Sequence, residues 1–375
     1  MKTAIGSFVF LGLAALLLSA CATYDYSRID RIYTESIAPN SALNAISIDP
    51  QIEEKIMAMD PDHVTGKDVQ EVLRHAPAPR ILNIHGGIYP VFLMMIDFSN
   101  YLIGMGYPED RIRHPGTGAY TYSCYDSSAK LAGIVAWHYE REALRPMIIG
   151  HSQGGIQAVK VLYQLAGGFN NTIRVYNPIT GEQEARHLIL DPLTGEERSV
   201  VGLKVSFVGA LGAGGWGRMM PNQWIMTGRL RKIPDTVVEF TGYHIAGDFF
   251  GGDLLGIGDS NLYHSNGEAE VRNVALPFGI EHITAPSTKH LLEDQHIRDW
   301  INDGYVPSAQ PRLDRKFDSS TRNILWAADV WHRIKRHWVL ELQRVIRAKQ
   351  ASTGRNQTHS VSDDTPTKQA QHAPD

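Results

Sequence analysis

Cysteine is scarce in this sequence. Only Cys21 and Cys124 occur among its 375 residues. So few cysteines exclude a fold held together by disulfides, and the chain must depend on a packed core instead. No neighbouring motif would activate the thiol of Cys124, so we expect this residue to be buried and structural rather than nucleophilic.

A strong excess of charge is also missing. The 36 lysines and arginines nearly balance the 40 aspartates and glutamates, which leaves a net charge of −4. Without a basic excess, we expect no nucleic-acid partner. Histidine and cysteine do not occur at metal-ligand spacing, so neither a metal nor another cofactor is expected. With 43% hydrophobic residues, the chain can build a large core.

No apolar run is long enough to span a bilayer comfortably. The most apolar stretch, at positions 5–18, follows Lys2 and leads into Leu18-Ser19-Ala20-Cys21. A basic start and a short apolar stretch are typical of a signal peptide. The last four residues resemble the lipobox of bacterial lipoproteins; a simple secretory signal that happens to end in cysteine is the alternative.

The lipobox resemblance implies where the mature protein resides. The peptide would be cut before Cys21 and the thiol acylated, which anchors the chain to a membrane through lipid. Ala22 follows the cysteine where an aspartate would imply retention at the inner membrane, so we expect the bacterial outer membrane, facing the periplasm. A lipidated Cys21 leaves Cys124 without an intrachain disulfide partner.

The central motif of the chain is Gly150-His151-Ser152-Gln153-Gly154. It follows the apolar residues 146–149 and precedes a helical pattern formed by Ile156, Val159, Leu162 and Ala166. The motif resembles the nucleophile elbow of the α/β-hydrolase fold, in which a buried strand turns sharply into a helix and presents a serine above the sheet. Glycines at 150 and 154 would let the strand and the helix approach closely. An incidental serine in a glycine-rich turn is the alternative.

A second motif, His85-Gly86-Gly87, strengthens this resemblance. It follows a short apolar strand at 80–84 and lies 67 residues before Ser152. In α/β-hydrolases, a His-Gly motif after an early strand shapes the oxyanion hole. The resemblance therefore implies two backbone N–H donors, one from Gln153 and one from Gly87 or Ile88.

Alternating strand-like and helical segments predict an α/β-hydrolase fold with a central, mostly parallel sheet and helices on both faces. Thr65 and Asp68 predict a capped helix. Two Pro-x-Thr-Gly-Glu turns within 170–201 predict a β-hairpin insert, which is either a lid or a surface feature. The other predicted elements are helices over 91–105 and 126–144, strands at 111–113, 203–208, 236–240 and 271–278, and a helix ending near Trp300.

These patterns divide the chain into five regions: a signal peptide at 1–20, a tether with short helices at 21–79, the hydrolase domain at 80–318, an amphipathic helix at 319–349 and a disordered tail at 350–375. The amphipathic helix carries tryptophans on an apolar stripe and basic residues elsewhere. Such a helix packs on its own domain or lies on an anionic membrane, and we favour the first.

The catalytic acid is expected after the serine, because the resemblance implies the chain order serine, acid, histidine. The loop after the strand at 203–208 contains no carboxylate. The next loop contains Asp248, in a Gly-x-x-x-x-Gly-Asp setting after an apolar strand that resembles the acid loop of many members of the family, and we expect it to be the acid. Asp253 and Asp259, in the glycine-rich stretch that follows, are the alternatives.

Four histidines follow closely enough to be the base: His264, His282, His290 and His296. We favour His290, because it precedes an apolar pair, Leu291-Leu292, much as the histidine of the family precedes a helix. His282 is the main alternative and requires a longer final strand than we predict.

The resemblance implies a serine hydrolase that acts through Ser152, His290 and Asp248 and forms an acyl-enzyme. The Gly-His-Ser-Gln-Gly form occurs in lipases, and Phe249, Phe250, Leu254 and Leu255 suit an acyl pocket, so we expect a lipase or esterase acting on a small acyl-ester or lipid substrate. The alternatives are a peptidase or acyltransferase on the same fold, or a non-catalytic envelope lipoprotein that uses the fold for binding.

Overall fold

The computed structural model describes residues 42–214, 221–251, 262–313 and 323–361. The predicted signal peptide, the lipidation site Cys21, the tether as far as residue 41, the alternative acids Asp253 and Asp259, and Leu254-Leu255 lie outside these ranges. The described part is an α/β structure built on one five-stranded sheet.

All neighbouring strands of this sheet run parallel, in the order β1-β2-β7-β9-β11. The strands are β1 (Ile81–Ile84), β2 (Met147–His151), β7 (Val205–Leu211), β9 (Val237–Ile245) and β11 (Glu270–Leu276). The register pairs His151 with Leu211 and Leu211 with Tyr243, so the carboxyl ends of the central strands lie at one edge. The residues that follow these strands therefore meet at the same edge of the sheet.

Both faces of the sheet are covered, which explains why β1, β2 and β7 are buried along their whole length. Side chains of a strand alternate between faces. Ile81 accordingly belongs to a core that contains Phe98 and Trp331, whereas Leu82 belongs to a second core on the opposite face with Val159. The sequence shows no alternation in these strands because neither face is exposed to water.

Eight α-helices are described. They are α1 (Ala42–Ala45), α2 (Pro50–Ala58), α3 (Gly66–Glu71), α4 (Tyr89–Gly104), α5 (Ser128–Glu142), α6 (Gln153–Leu165), α7 (Gln295–Asp299) and α8 (Ile324–Val361). Helices α4 and α8 contribute to the first core, and α5 and α6 to the second. The predicted capping box is present at the start of α3, where Thr65 and Asp68 hydrogen-bond reciprocally.

The segment predicted as a strand at 111–113 does not form one. Residues Glu109–Arg111 form a single 3₁₀ turn, and the polypeptide joins the sheet only later, where Tyr122 makes an isolated parallel bridge to Ile84. The prediction was wrong because three residues carry too weak a pattern to separate a strand from a turn.

The hairpin insert consists of two antiparallel pairs, β3 (Tyr176–Asn177) with β4 (Glu182–Gln183) and β5 (Leu188–Leu190) with β6 (Glu197–Ser199). It lies against α5: Arg186 donates two hydrogen bonds to the carboxylate of Glu140, each 2.6 Å long, and Tyr139 donates to Asp191. These contacts favour the surface interpretation over the lid. The last pair of short strands, β8 (Lys232–Ile233) and β10 (His264–Ser265), is parallel.

The long C-terminal helix α8 packs on its own domain, as we favoured. Trp326, Trp331 and Trp338 are fully buried against the first core. The helix starts at Ile324 and continues to Val361, so the predicted end at 349 and the predicted disorder from 350 are wrong for residues 350–361. Extending an anchored helix needs no new nucleus, which explains the continuation into a polar segment. Within the described ranges, no helix combines the length and the apolarity that crossing a membrane requires.

Candidate active site

Ser152 lies at the turn between β2 and α6. Its backbone has φ 54° and ψ −121°, a conformation that costs energy in any residue with a Cβ. A Cβ at Gly150 would collide with the backbone of Gly154, and one at Gly154 would collide with the backbone of β1. The predicted close approach of strand and helix is therefore present. The Ser152 N–H donates to Leu211 O at 2.8 Å, which ties the turn to β7.

A continuous hydrogen-bonded chain links this serine to a histidine and an aspartate. His282 Nε2 lies 2.9 Å from Ser152 Oγ, and His282 Nδ1 lies 2.7 Å from Asp248 Oδ2. The side chain of His282 is only 8% exposed and that of Asp248 only 2% exposed. Because Asp248 accepts at Nδ1, the proton of a neutral imidazole resides there and Nε2 is left to accept from the serine.

Asp248 is positioned by the turn that ends β9. Its N–H donates to Ile245 O at 3.1 Å, and its Oδ1 accepts a hydrogen bond of 2.8 Å from the N–H of Gly251. One carboxylate oxygen is thus held by the backbone, and the other faces His282. The expected position of the acid agrees with this geometry.

The structure does not bring His290, the histidine that we favoured as the base, to Ser152. The histidine that contacts Ser152 is His282, six residues beyond the end of β11, rather than His290. His290 lies in the 3₁₀ turn Lys289–Leu292, and the neighbouring N–H groups of Thr288 and Lys289 donate to Asp97 of α4 at 2.7 and 2.8 Å. The apolar pair after His290 belongs to this docking on α4, so it gave no information about the active site.

The turn containing Gly86 and Gly87 lies beside the serine. A Cβ on Gly86 would come within 3.0 Å of Ser152 Cβ, and a Cβ on Gly87 would collide with the Gln153 amide. Gln153 is the first residue of α6, where backbone N–H groups and the helix dipole favour negative charge. Within the described residues, the N–H groups of Gly87, Ile88 and Gln153 donate to no protein acceptor. The structure therefore places the glycine turn, which carries two of the predicted donors, beside Ser152 and Gln153.

Two side chains hold this turn: His85, the first residue of the motif, and Tyr125, which no motif singles out. His85 Nδ1 lies 2.8 Å from Gly86 O, and Tyr125 Oη donates to Gly87 O at 2.6 Å. Burial lowers the pKa of His85, so it is a neutral donor near pH 7. Tyr125 follows the Tyr122 bridge by three residues, and no local pattern in the sequence distinguishes it from neighbouring tyrosines.

His151, directly before the serine, is fully buried. Its ring lies 4.9 Å from that of His282, at an interplanar angle of 41°. Burial, and then the charge that His282 can carry, hold the pKa of His151 well below its usual value. The residue is therefore neutral, and its ring packs beside that of His282.

Exposed aromatic side chains lie at the mouth of the site. Phe250 is 57% exposed, and its ring centre lies 5.8 Å from both the ring of His282 and that of Phe249. Phe278 is 85% exposed and lies against Gly247, next to the acid. Exposed aromatic groups beside a reactive serine provide an apolar surface for the nonpolar part of a ligand.

A serine hydroxyl held by an imidazole that is itself held by a carboxylate can act as an activated nucleophile. No group of three or more histidine, cysteine or carboxylate side chains within the described ranges could hold a metal ion. Cys124 is buried, as expected for a structural residue. Comparisons of the chain with protein-family models, with curated proteins and with solved structures gave no match.

Proposed function

We propose that this protein is a serine hydrolase that cleaves carboxylic esters, with Ser152 as nucleophile, His282 as base and Asp248 as the orienting acid. The observation that carries the proposal is the chain of two hydrogen bonds, 2.9 and 2.7 Å long, from Ser152 through His282 to Asp248. These three residues are far apart in the sequence and meet only because their strands end at one edge of the sheet.

The chemistry follows from the positions of the atoms. His282 Nε2 takes the proton of Ser152 Oγ as the oxygen attacks the acyl carbon, and it then returns that proton to the leaving alcohol. Asp248 holds the imidazole in the required tautomer and stabilises its positive charge. Water then attacks the acyl-enzyme with the same assistance, which releases the acid and restores the serine.

Negative charge on the acyl oxygen develops between α6 and the glycine turn. The N–H of Gln153 and that of Gly87 or Ile88 are suited to donate to this oxygen. Such donors stabilise the transition state more than the substrate, and losing one typically costs about 3 kcal/mol of barrier.

Several features support an α/β-hydrolase fold for this domain. The chain order is serine, aspartate, histidine, and each residue follows a strand of a parallel sheet. The positive φ of Ser152 and the glycines around it support a nucleophile elbow. The aromatic mouth formed by Phe249, Phe250 and Phe278 suits an ester with a nonpolar acyl group, so we favour a lipase or esterase over a peptidase or acyltransferase.

The lipobox resemblance completes the proposal. We infer a mature chain that begins at an acylated Cys21 and acts at the bacterial outer membrane, facing the periplasm, where acyl esters and lipids are available as substrates. Globomycin treatment of expressing cells, or mass spectrometry of the purified N-terminal peptide, would test this lipidation separately from catalysis.

A fluorophosphonate probe tests the enzymatic proposal. We expect the purified full chain to be labelled at Ser152, and we expect Ser152→Ala to abolish both labelling and ester turnover. A panel of esters of increasing acyl length, thioesters and aminoacyl amides would then identify the preferred bond. A folded wild-type protein that is not labelled, or labelling that survives in Ser152→Ala, would favour a binding lipoprotein instead.

A further inference from the structure

The turn from His85 to Ile88 has both of its central carbonyl groups held by side chains. His85 Nδ1 lies 2.8 Å from Gly86 O, and the hydroxyl of Tyr125 donates to Gly87 O at 2.6 Å. Gly87 and Ile88 have no side-chain hydrogen bonds of their own, and glycine imposes little restriction on the backbone. Without these two partners, the turn would sample several orientations of its peptide planes.

Fixing a carbonyl also fixes the N–H of the next residue. A trans peptide unit is planar, and its C=O and N–H point in opposite directions. A hydrogen bond to Gly86 O therefore sets the direction of the Gly87 N–H, and one to Gly87 O sets that of the Ile88 N–H. These are the two N–H groups that could complete an oxyanion hole with Gln153.

Tyr125 is held in place by a rigid loop. Tyr122 donates its N–H to Asn83 O at 2.7 Å, and the N–H of His85 donates to Tyr122 O at 3.2 Å, which fixes the loop to β1. Gln157, one turn after the nucleophile in α6, donates to Asp126 O at 2.6 Å. The phenol therefore extends from a loop that is tied both to the strand before the glycine turn and to the helix after the serine.

We propose that Tyr125 is a positioning residue for the oxyanion hole: by holding Gly87 O, it orients the peptide between Gly87 and Ile88 toward the developing oxyanion. This inference rests on the proposed function, because it assigns a role in stabilising a tetrahedral adduct at Ser152. Tyr125 does not contact the reacting atoms in this role. It lowers the cost of reorganising the donors during the reaction.

The test removes only the hydroxyl, in Tyr125→Phe. We expect kcat on an ester substrate to fall about five- to tenfold, which corresponds to the loss of one ordinary hydrogen bond. KM should stay unchanged because the donors act mainly in the transition state. Affinity for a trifluoromethyl ketone, which forms a tetrahedral adduct with the serine, should fall by the same factor, while the pH profile and the melting temperature should not change.

Tyr122→Phe is the matched control. It removes a hydroxyl from the same loop, but this hydroxyl is buried and has no hydrogen-bond partner among the described residues. We expect wild-type kcat and wild-type adduct affinity for this variant. A loss of the same size in both variants would indicate a general disturbance of the loop and would overturn the positioning role.

A measurement independent of turnover separates this inference from the proposed function. Labelling with ¹³C-carbonyl glycine and ¹⁵N-isoleucine selects five Gly-Ile peptide bonds in the chain, and Ile88→Val identifies the signal of Ile88. We expect this signal to shift and broaden in Tyr125→Phe but not in Tyr122→Phe. A sharp, unshifted Ile88 signal in Tyr125→Phe would overturn the inference even if no ester is hydrolysed. Wild-type kcat in Tyr125→Phe, with activity that depends on Ser152, would overturn it while leaving the proposed function intact.

Discussion

Strand β9 has a buried pair of histidine and carboxylate at each end. At its carboxyl end, Asp248 lies 2.7 Å from His282, and near its start Glu239 lies 3.0 Å from His337. Both pairs are almost completely shielded from water. Only the first pair contacts a serine hydroxyl, that of Ser152, which we propose as the nucleophile. The difference between the two pairs shows what the proposed hydrolytic site needs beyond the pair itself.

The pair near the start of β9 is part of an ion cluster beneath α8. Arg336 and Arg333 lie 2.9 and 3.4 Å from the Glu239 carboxylate, and Arg272 lies 3.8 Å away. Burial raises the pKa of Glu239, but the hydrogen bond from His337 and the charge of the arginines outweigh it and lower the pKa to about 2. The carboxylate is therefore permanently ionised and holds α8 on the sheet.

At the carboxyl end, Asp248 forms no ion pair with an arginine among the described residues, and the imidazole of His282 lies at the edge of the sheet. His282 Nε2 faces Ser152, whereas the ring of His337 is stacked on Phe207 in the interior. A histidine that must accept and return a proton needs a carboxylate on one side and a reacting hydroxyl on the other. The Asp248–His282 pair therefore differs from the Glu239–His337 pair in its position at the carboxyl edge of the sheet, and not in the contact between histidine and carboxylate.

The largest expected effect follows from removing the imidazole. We expect His282→Ala to lower kcat about a millionfold, since a triad without its base retains little more than the oxyanion hole. Steady-state kinetics with an ester substrate checks this. His290→Ala serves as the control and should retain most of the wild-type turnover. If His290→Ala were inactive and His282→Ala active, the base would have to be reassigned.

The two carboxylates can be compared directly by isosteric substitution. We expect Asp248→Asn to lower kcat about ten-thousandfold because the imidazole loses its required tautomer. We expect Glu239→Gln to leave kcat unchanged but to lower the free energy of unfolding by about 3 kcal/mol, because buried arginines lose their counter-charge. Ester kinetics and urea unfolding, measured on both variants, separate the two effects.

Two results would contradict this division between the Asp248 and Glu239 carboxylates. Loss of kcat in folded Glu239→Gln, or full activity in Asp248→Asn, would show that the two ends of β9 do not divide stability and catalysis in this way.

A smaller effect concerns Lys335, which lies in α8 between Arg333 and Arg336 of the Glu239 cluster. Its ammonium group donates to the carbonyls of Val64 and Asn302, and burial lowers its pKa from 10.5 to about 8. Between these values the unfolded chain binds more protons than the folded one, so stability rises with pH. We expect Lys335 to contribute a gain of about 2 kcal/mol from pH 8 to pH 10, measured by urea unfolding as the difference between wild type and Lys335→Met.

Substitution of this lysine isolates its contribution. Lys335→Met should lose the rise in stability over this pH range, whereas Lys67→Met, at a lysine whose side chain is 77% exposed, should keep it. Equal pH dependence in wild type and Lys335→Met would contradict the assignment.

Of the three side chains that the structure links, the sequence predicted Ser152 and Asp248, but it favoured His290 over His282. The elbow is a local pattern, because a strand, two glycines and a helix are adjacent in the chain. Asp248 lies in the loop that follows an apolar strand, so its position was also local information. His282 is six residues beyond β11 in an irregular turn, and whether it or His290 reaches Ser152 depends on the path of that turn in space.

The sequence by itself determined several helices and strands around the site, and the order of serine, aspartate and histidine along the chain. Apolar runs, glycines and caps gave β2, α4, α5 and α6, because each depends on residues that are neighbours in the chain. Only the tertiary structure decided which imidazole meets Ser152, which tyrosine holds the glycine turn, and that α8 lies on its own domain. These depend on contacts between residues separated by tens to hundreds of positions, and the physical reason is that parallel strands unite such residues at one edge of a sheet.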